Sequence, residues 1–403
     1  MSKKLIITGL LRNRERYLVC ALQEGDRIVQ VQLQPEGERS LLGNIYLGRV
    51  EKVLENIGAA FVEIAPGVPC YLPLAEAEQA LRVNQRKGGG VKPGDELLVQ
   101  VSKEAIKTKV PRLTAHPEFP GKYLVLTLGR GRLGFSSKLE PEEKERIRRV
   151  LTEAESFGQD GAVIRTNAGG VSGEEILKEL KILKERWASI REAAYHRTCF
   201  SLLWEAEPFY LSFLRDVYQQ GLEEIVTDLP DIERQVRDYL TLHQPENLEK
   251  LRLYEDSLLP LHKLCRLESS LEEALKERVW LKSGGFLVIQ QTEALVAIDV
   301  NSGKYAGKQQ AAQVYKKINL EAAGEIARQL RLRNLSGIIL IDFINMDAPE
   351  DKKELLEELE NWLRRDPIKT QVVDMTALQL VEVTRKKVRK SLEDSLKIKK
   401  NVL

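Results

Sequence analysis

The chain has 403 residues, 43% hydrophobic and 30% charged, enough for several domains with their own cores and unlike a disordered polymer. Its 62 Lys and Arg nearly balance 60 Asp and Glu, for a formal charge of +2, so any nucleic-acid surface must be local. Cys20, Cys70, Cys199 and Cys265 lie far apart, with no C-x-x-C pair and no neighbouring His cluster, which argues against structural zinc and predicts buried, reduced thiols.

No apolar stretch approaches the roughly 18 residues of a membrane span, and no charged-then-apolar leader follows Met1, so a cytoplasmic protein is expected. Residues 1 to 37 alternate with period two, as in Tyr17-Leu18-Val19-Cys20 and Ile28-Val29-Gln30-Val31, and predict a three-stranded meander. Short strands follow at Asn44 to Val53, Gly58 to Ile64, Pro69 to Leu72 and Glu96 to Val101, broken by Gly-rich segments including Gly88-Gly89-Gly90. That spacing suggests a small barrel. Strands at Tyr123 to Leu128 and Ala162 to Arg165 then precede a long helix from about Gly173 to Tyr195. Residues 200 to 280 mix helices and short strands, and from Val279 onward strands alternate with helices as in an α/β domain.

Two acids stand out. Asp299 in VAIDVNSG and Asp342 in ILIDFINM each close an apolar run that reads as a strand covered on both faces. Between them Leu320, Ala323, Ile326, Ala327 and Leu330 recur at helical spacing, so the unit is β-α-β and the strands should be parallel neighbours. Two carboxylates at adjacent strand ends suffice for magnesium, which prefers oxygen ligands and keeps several waters. Asn301, two residues on, is placed to hold a water or a phosphate oxygen. Strand-end acids also cap helices or pair with cations, and that alternative stands beside the metal site.

In the barrel segment Tyr46, Phe61 and Tyr71 accompany Arg49, Lys52, Lys103, Lys107, Lys109 and Arg112, the mixture of aromatics and cations that binds single-stranded nucleic acid. Barrel aromatics can equally be core. The segment from Gly161 to Ser172 leaves a strand through small residues and enters a helix with Ser172 and Glu175 spaced as a capping box. Its turn would offer backbone N–H groups, Arg165 a planar donor fork and Thr166 a hydroxyl to a terminal phosphate, unless it is simply a tight turn with a structural Arg. Gly129, Gly131 and Gly134 match G-x-G-x-x-G, but no helix opens on them, so a dinucleotide site is rejected. Arg385-Lys386-Lys387-Val388-Arg389-Lys390, with Lys397, Lys399 and Lys400 beyond, reads as a basic helix that touches RNA or is merely solvated.

Taken together, TEALVAIDVNSG, NLEAAGEIARQLRLRNLSGIILIDFINM, GNIYLGRV, GAAFVEI and GAVIRT resemble the ribonuclease E/G family over nearly the whole chain. The resemblance implies a multi-domain α/β and β protein. It has a split RNase H-like domain (1–37 and 212–278), an inserted OB-type RNA-binding barrel (38–115), a 5′-phosphate sensor (116–211) and a DNase I-like α/β catalytic domain (279–403). It implies a magnesium-dependent endoribonuclease, with Mn²⁺ as a substitute ion, that cuts single-stranded AU-rich RNA by in-line attack of water. The products are 5′-phosphate and 3′-hydroxyl ends, in rRNA and tRNA processing and mRNA decay. On this resemblance Asp299 and Asp342 hold the metal, Asn301 orients the scissile group, Arg165 and Thr166 bind the 5′-phosphate, and Phe61 and Tyr71 contact RNA with Lys103, Lys109 and Arg112.

The chain departs from the family pattern in several places. The residues after Lys390 contain no CPxC segment, so a zinc-linked dimer is not expected, and any homo-oligomer would use another surface. The chain looks ribonuclease G-like, without a long C-terminal scaffold. A second sensor Arg falls at Ser137, beside Lys138, and another basic position at Lys369, which implies a weaker 5′-monophosphate preference because Lys lacks the bidentate fork. Asn345 stands where the family usually has a third acid. The competing readings are a non-catalytic RNA-binding or assembly protein on the same fold, and a magnesium phosphodiesterase acting on DNA or small esters.

Overall fold

The period-two segments at the start of the chain become three long strands, β1 (Lys3–Arg12), β2 (Glu15–Glu24) and β3 (Arg27–Pro35). They are followed by β4 (Ile45–Leu54), β5 (Ala59–Glu63), β6 (Pro69–Pro73), the single turn α1 (Leu74–Ala77), β7 (Glu96–Lys103) and β8 (Arg112–Thr114). Next come β9 (Glu118–Pro120), β10 (Leu124–Thr127), β11 (Leu133–Phe135), α2 (Pro141–Ala154), β12 (Gly161–Ile164), α3 (Gly173–Ala194) and β13 (Leu202–Trp204). Then follow α4 (Phe209–Asp216), β14 (Leu222–Thr227), α5 (Pro230–His243), β15 (Leu251–Leu253), α6 (Leu261–Leu264) and α7 (Leu267–Leu275). The last elements are β16 (Arg278–Trp280), β17 (Phe286–Gln291), β18 (Leu295–Asn301), α8 (Ala311–Leu332), β19 (Gly337–Asp342), α9 (Pro349–Leu363), β20 (Thr370–Met375), β21 (Leu380–Arg385) and α10 (Leu392–Ser395). The structure, a computed structural model, describes residues 2–38, 40–84, 90–105, 109–154, 157–217, 221–303 and 311–396. Gly88, Gly89, Lys107, Lys397, Lys399 and Lys400 fall outside that set.

Two compact units result, one made of Met1–Gly37 with Asp216–Leu403 and the other of Glu38–Arg215. In the first, β15, β14, β1, β2 and β3 form one sheet, with β14 parallel to β1 and the first three strands an antiparallel meander. The inward residues Ile6, Val19, Ala21 and Val31 share a core with Leu267 and Leu271 of α7. A second sheet runs β16-β17-β18-β19-β21-β20, antiparallel except for β18 and β19. As the periodicity required, α8 connects β18 to β19 and lays Val314, Ile318, Ala322, Ile326 and Leu330 over that sheet, beside α9. The opposite side of α8 is tied to the first sheet. Buried Glu325 takes ion pairs from Arg27 and Arg328, and Arg328 also donates to the Ile28 carbonyl at 2.8 Å. Burial alone would raise the Glu325 carboxyl, but Arg328, Gln329 and Arg27 outweigh it and hold it below the usual value.

The expectation that the runs before Asp299 and Asp342 are covered on both faces is not met. Val296, Ile298 and Val300 of β18 and Ile339 and Ile341 of β19 are buried, whereas Ile338 is 54% exposed and both aspartates are exposed. Helices cover only one face, because the single crossover α8 and the following α9 both pack on the same side. Apolar runs alone do not distinguish this from a doubly covered sheet.

In the second unit β4, β5, β6, β8 and β7 form a five-stranded barrel of the OB type, closed by pairing of β4 with β7, and β13 adds to the edge of β4. Gly48 is required at the closure, where a Cβ would lie 2.7 Å from Val62 Cγ1 and 2.9 Å from the Glu63 carbonyl. A smaller sheet, β11-β12-β10-β9, packs on α2 and α3. Gly129 and Gly131, with φ of 66° and 52°, turn the chain from β10 towards β11, so the G-x-G-x-x-G segment leads into a strand. Ser172 caps α3, its Oγ accepting from the Glu175 N–H at 3.2 Å.

Candidate active site and nucleic-acid surfaces

Asp299 and Asp342 are partners in the parallel register of β18 and β19, which places both carboxylates side by side on the uncovered face of the sheet. Asn301 lies two residues on, hence on the same face, and its Nδ2 donates to Asp299 Oδ2 at 2.6 Å. This hydrogen bond leaves the amide a second N–H and its carbonyl oxygen for another group. Gly285, opposite on the turn before β17, permits the approach. A Cβ there would lie 2.8 Å from the Asn301 carbonyl oxygen and 2.9 Å from Ile318 Cγ2. Neither aspartate caps a helix, and neither has an ion pair among the described residues. An all-oxygen pair of exposed, adjacent carboxylates has the donor chemistry of a hard divalent cation. Asn345 is exposed beyond β19.

On the barrel a register row joins the predicted RNA-binding residues. Lys52 pairs with Phe61, Phe61 with Tyr71, Tyr71 with Arg112 and Arg112 with Lys103, crossing five strands. The Phe61 and Tyr71 rings meet edge to face at 6.4 Å, Lys52 Nζ sits 5.0 Å over Phe61, and the Arg112 guanidinium 5.9 Å from the Tyr71 ring. Two part-exposed rings flanked by cations have the chemistry that stacks bases and meets phosphates. Lys109 is exposed in the connection between β7 and β8. Tyr46 does not belong to this surface, because it packs against the barrel core and its hydroxyl accepts from Asn44.

Arg165 and Thr166 leave β12 side by side. Arg165 Nη1 donates to the Gly121 carbonyl at 2.8 Å, and the Thr166 hydroxyl lies 2.9 Å from that of Ser136. The turn itself offers less than its sequence suggests. The N–H groups of Ala168, Gly169 and Val171 bond to the Arg165, Thr166 and Ala168 carbonyls, and that of Gly170 to Glu143 Oε2. Residues 166–168 form a tight helical turn, and among the described residues only its leading N–H groups, those of Thr166 and Asn167, are left without an acceptor.

Glu179 is the residue that sequence reasoning missed. Its carboxylate accepts from the backbone N–H groups of Lys122, Tyr123 and Leu124 at 2.6, 2.9 and 3.0 Å, which pins the loop whose Gly121 carbonyl holds Arg165. Burial pushes this carboxyl up, despite those three N–H donors and the nearby Arg165. Gly121 has no space for a side chain, since a Cβ would lie 2.5 Å from Glu179 Cδ. The available signal was an acid beside the stripe Ile176, Leu180, Leu183 that α3 buries.

The basic stretch from Arg385 to Lys390 is not helical. Arg385 ends β21 and is buried, its side chain 2% exposed and its Nε 2.7 Å from Asp366, while Arg389 pairs with Asp216 and Gln32. Two of the cations are thus structural ties, a role that charge count cannot reveal. The thiols are all free, but only Cys20 and Cys70 are buried; Cys199 lies in the turn between α3 and β13 and Cys265 just after α6, both half-buried. No helix among the described residues is long and apolar enough to cross a membrane.

An OB-type barrel and a sheet bearing paired, exposed acids are compatible with a nuclease, and comparison with known proteins shows the family. Residues 118–388 match the Ribonuclease E/G family, and the chain belongs to that family. It is 35% identical over 384 residues to Ribonuclease G of Escherichia coli strain K12, covering 93% of this chain and 78% of that one. Ribonuclease G of Haemophilus influenzae is 34% identical over 386 residues, with the same shares covered. Ribonuclease E of Nostoc is 35% identical over 400 residues, 96% of this chain but 56% of the longer relative. The chain is accordingly an endoribonuclease, a hydrolase of RNA phosphodiester bonds.

Proposed function

We propose that this chain is a magnesium-dependent endoribonuclease that cuts unpaired, AU-rich RNA, leaves 5′-phosphate and 3′-hydroxyl ends, and serves rRNA and tRNA processing and mRNA decay in the cytoplasm. The observation that carries the proposal is the in-register pair Asp299 and Asp342 with Asn301 tied to Asp299. Asp299 and Asp342 would hold Mg²⁺ or Mn²⁺. When bound, such an ion supplies Lewis acidity to a phosphodiester oxygen and lowers the pKa of water. The chain's own residues do the rest: Asp299 is oriented by the Asn301 amide, whose remaining N–H can donate to a phosphate oxygen. Phe61, Tyr71, Lys52, Lys103, Lys109 and Arg112 bind the strand, and Arg165 and Thr166 take a 5′-monophosphate. Ser137, with Lys138 next to it in the chain, takes the place of a second sensor arginine and its planar fork.

On the same reading β1–β3 with β14 and β15 are the RNase H-like part, divided by the barrel and the sensor, and the sheet from β16 to β21 is the DNase I-like catalytic part. The mixed order of the first sheet, three antiparallel strands followed by two parallel ones, supports this.

The test is cleavage of a 5′-labelled AU-rich RNA by wild type and by Asp299→Asn and Asp342→Asn, with Mg²⁺ and with EDTA. Internal cuts that require the metal, lost by roughly 100-fold or more in both variants while RNA binding persists, support the proposal. Cutting that survives in either variant would remove that aspartate from the metal site.

A further inference from the structure

The uncovered face of the catalytic sheet continues past the aspartates to its edge. Across it the register runs Trp280, Phe286, Asn301 in one rank and Arg278, Val288, Asp299, Asp342 in the next. All project from the face that α8 and α9 leave open, because Val279, Leu281, Leu287 and Ile289 on the same strands pack into the covered core. At about 5 Å between strands, Phe286 stands one strand from Asn301 and Trp280 two, about 10 Å away.

Trp280 is 64% exposed, which is costly for an indole and leaves its ring open to solvent. It lies at 5.2 Å from the Phe286 ring, and the Arg278 guanidinium sits 4.5 Å over Phe286 and 5.9 Å from Trp280. Arg278 has no ion pair among the described residues. Between this platform and the acids the register places Val288, which pairs with both Arg278 and Asp299. Two rings with a planar cation, on the two strands next to the one that carries Asp299, have the chemistry of a base-stacking site.

We infer that Trp280 and Phe286, with Arg278, stack an unpaired nucleobase of the RNA about one or two nucleotides from the scissile phosphate, forming a subsite in the catalytic sheet itself. The inference rests on the proposal that Asp299 and Asp342 are the reacting centre. Stacking on an aromatic face tolerates any base, so this subsite selects for single-strandedness: a paired base is already stacked and cannot reach the ring. Arg278 keeps Phe286 in place and adds a cation for the adjoining phosphate.

The test uses an unpaired RNA with one mapped cut and a series of the same RNA carrying a single abasic ribose at each position around it. Cleavage kcat/KM with Mg²⁺ and equilibrium affinity with EDTA are measured for wild type, Trp280→Ala and Trp280→Phe. Wild type is expected to lose roughly ten-fold or more at one abasic position. Trp280→Ala should lose a similar factor on intact RNA and be indifferent to that position, and Trp280→Phe should recover most of the loss. Trp280→Ala with unchanged kcat/KM and affinity overturns the inference. A fall in rate that leaves the abasic profile of wild type intact also overturns it, because the ring would then act on the fold or between copies of the chain. If wild type does not cut at all, the metal-dependent reading fails, while the affinity series still decides whether Trp280 meets a base.

Discussion

Replacing Glu179 by Ala removes the acceptor of three backbone N–H groups, at Lys122, Tyr123 and Leu124. A buried donor left without an acceptor costs about 1–3 kcal/mol, so the gross loss is about 3–9 kcal/mol. Two effects reduce it: the carboxylate no longer has to be desolvated, and water can enter the space it vacates. We expect a local destabilisation of about 3 kcal/mol, which corresponds to about 100-fold faster exchange of those three amide hydrogens. The Gly121 carbonyl moves with the loop, and Arg165, which donates to it, loses its position. The ratio of cleavage of 5′-monophosphate over 5′-hydroxyl RNA should therefore fall towards one, as it should in Arg165→Ala, while cutting of 5′-hydroxyl RNA is little changed. Glu179→Gln keeps one oxygen and turns an amide nitrogen towards a backbone N–H, so an intermediate effect is expected. Because burial raises the Glu179 carboxyl, its protonation favours the folded state at low pH. That contribution fades as pH rises through the raised value, and the Gln variant should lack it. Unchanged amide protection in Glu179→Ala, or an unchanged ratio while Arg165→Ala abolishes it, would refute the reasoning.

Further outcomes follow from the same geometry. Asp366→Ala strands the buried Arg385 guanidinium and should cost about 3–5 kcal/mol, read as a lower urea midpoint. Gly285→Ala forces a Cβ within 2.8 Å of the Asn301 carbonyl, and the displaced amide should lower kcat by about 10–100-fold with KM nearly unchanged. Glu143 is held down to about 2 by its bonds to Arg146 and the Gly170 N–H, so its contribution is complete above the ordinary value of 4.5. It should be lost as pH falls from 4.5 towards about 2, seen as loss of protection at the Gly170 amide in that window.

The β18-α8-β19 unit is legible in the sequence because its information is local and periodic. Apolar runs of strand length around a 3.6-residue pattern permit one right-handed, parallel β-α-β unit, and that unit by itself makes Asp299 and Asp342 neighbours at adjacent strand ends. The barrel is legible for a similar reason, since its turns and alternation are short-range signals. The features that sequence misrepresents depend on partners distant along the chain. Arg385 resembles a solvated cation in a basic run, yet Asp366 lies against it, and Tyr46 resembles a stacking ring, yet it packs on the barrel core. The N–H groups of Ala168, Gly169, Gly170 and Val171 look available because composition does not record which acceptors consume them.

Sequence by itself determined the elements, the order of the chain and the chemical identity of the acids, amide, rings and cations, because spacing and residue type are properties of the chain alone. Tertiary structure decided which face of each strand meets water. It left the Asp299 and Asp342 carboxylates and the Trp280 ring on one uncovered side, and it ranked Lys52, Phe61, Tyr71, Arg112 and Lys103 across five strands. It also gave Glu179 its task of holding a loop 55 to 57 residues away. The physical reason is that burial, register and the satisfaction of backbone donors are set by pairs of segments, and a side chain's role follows from the partner that folding brings to it.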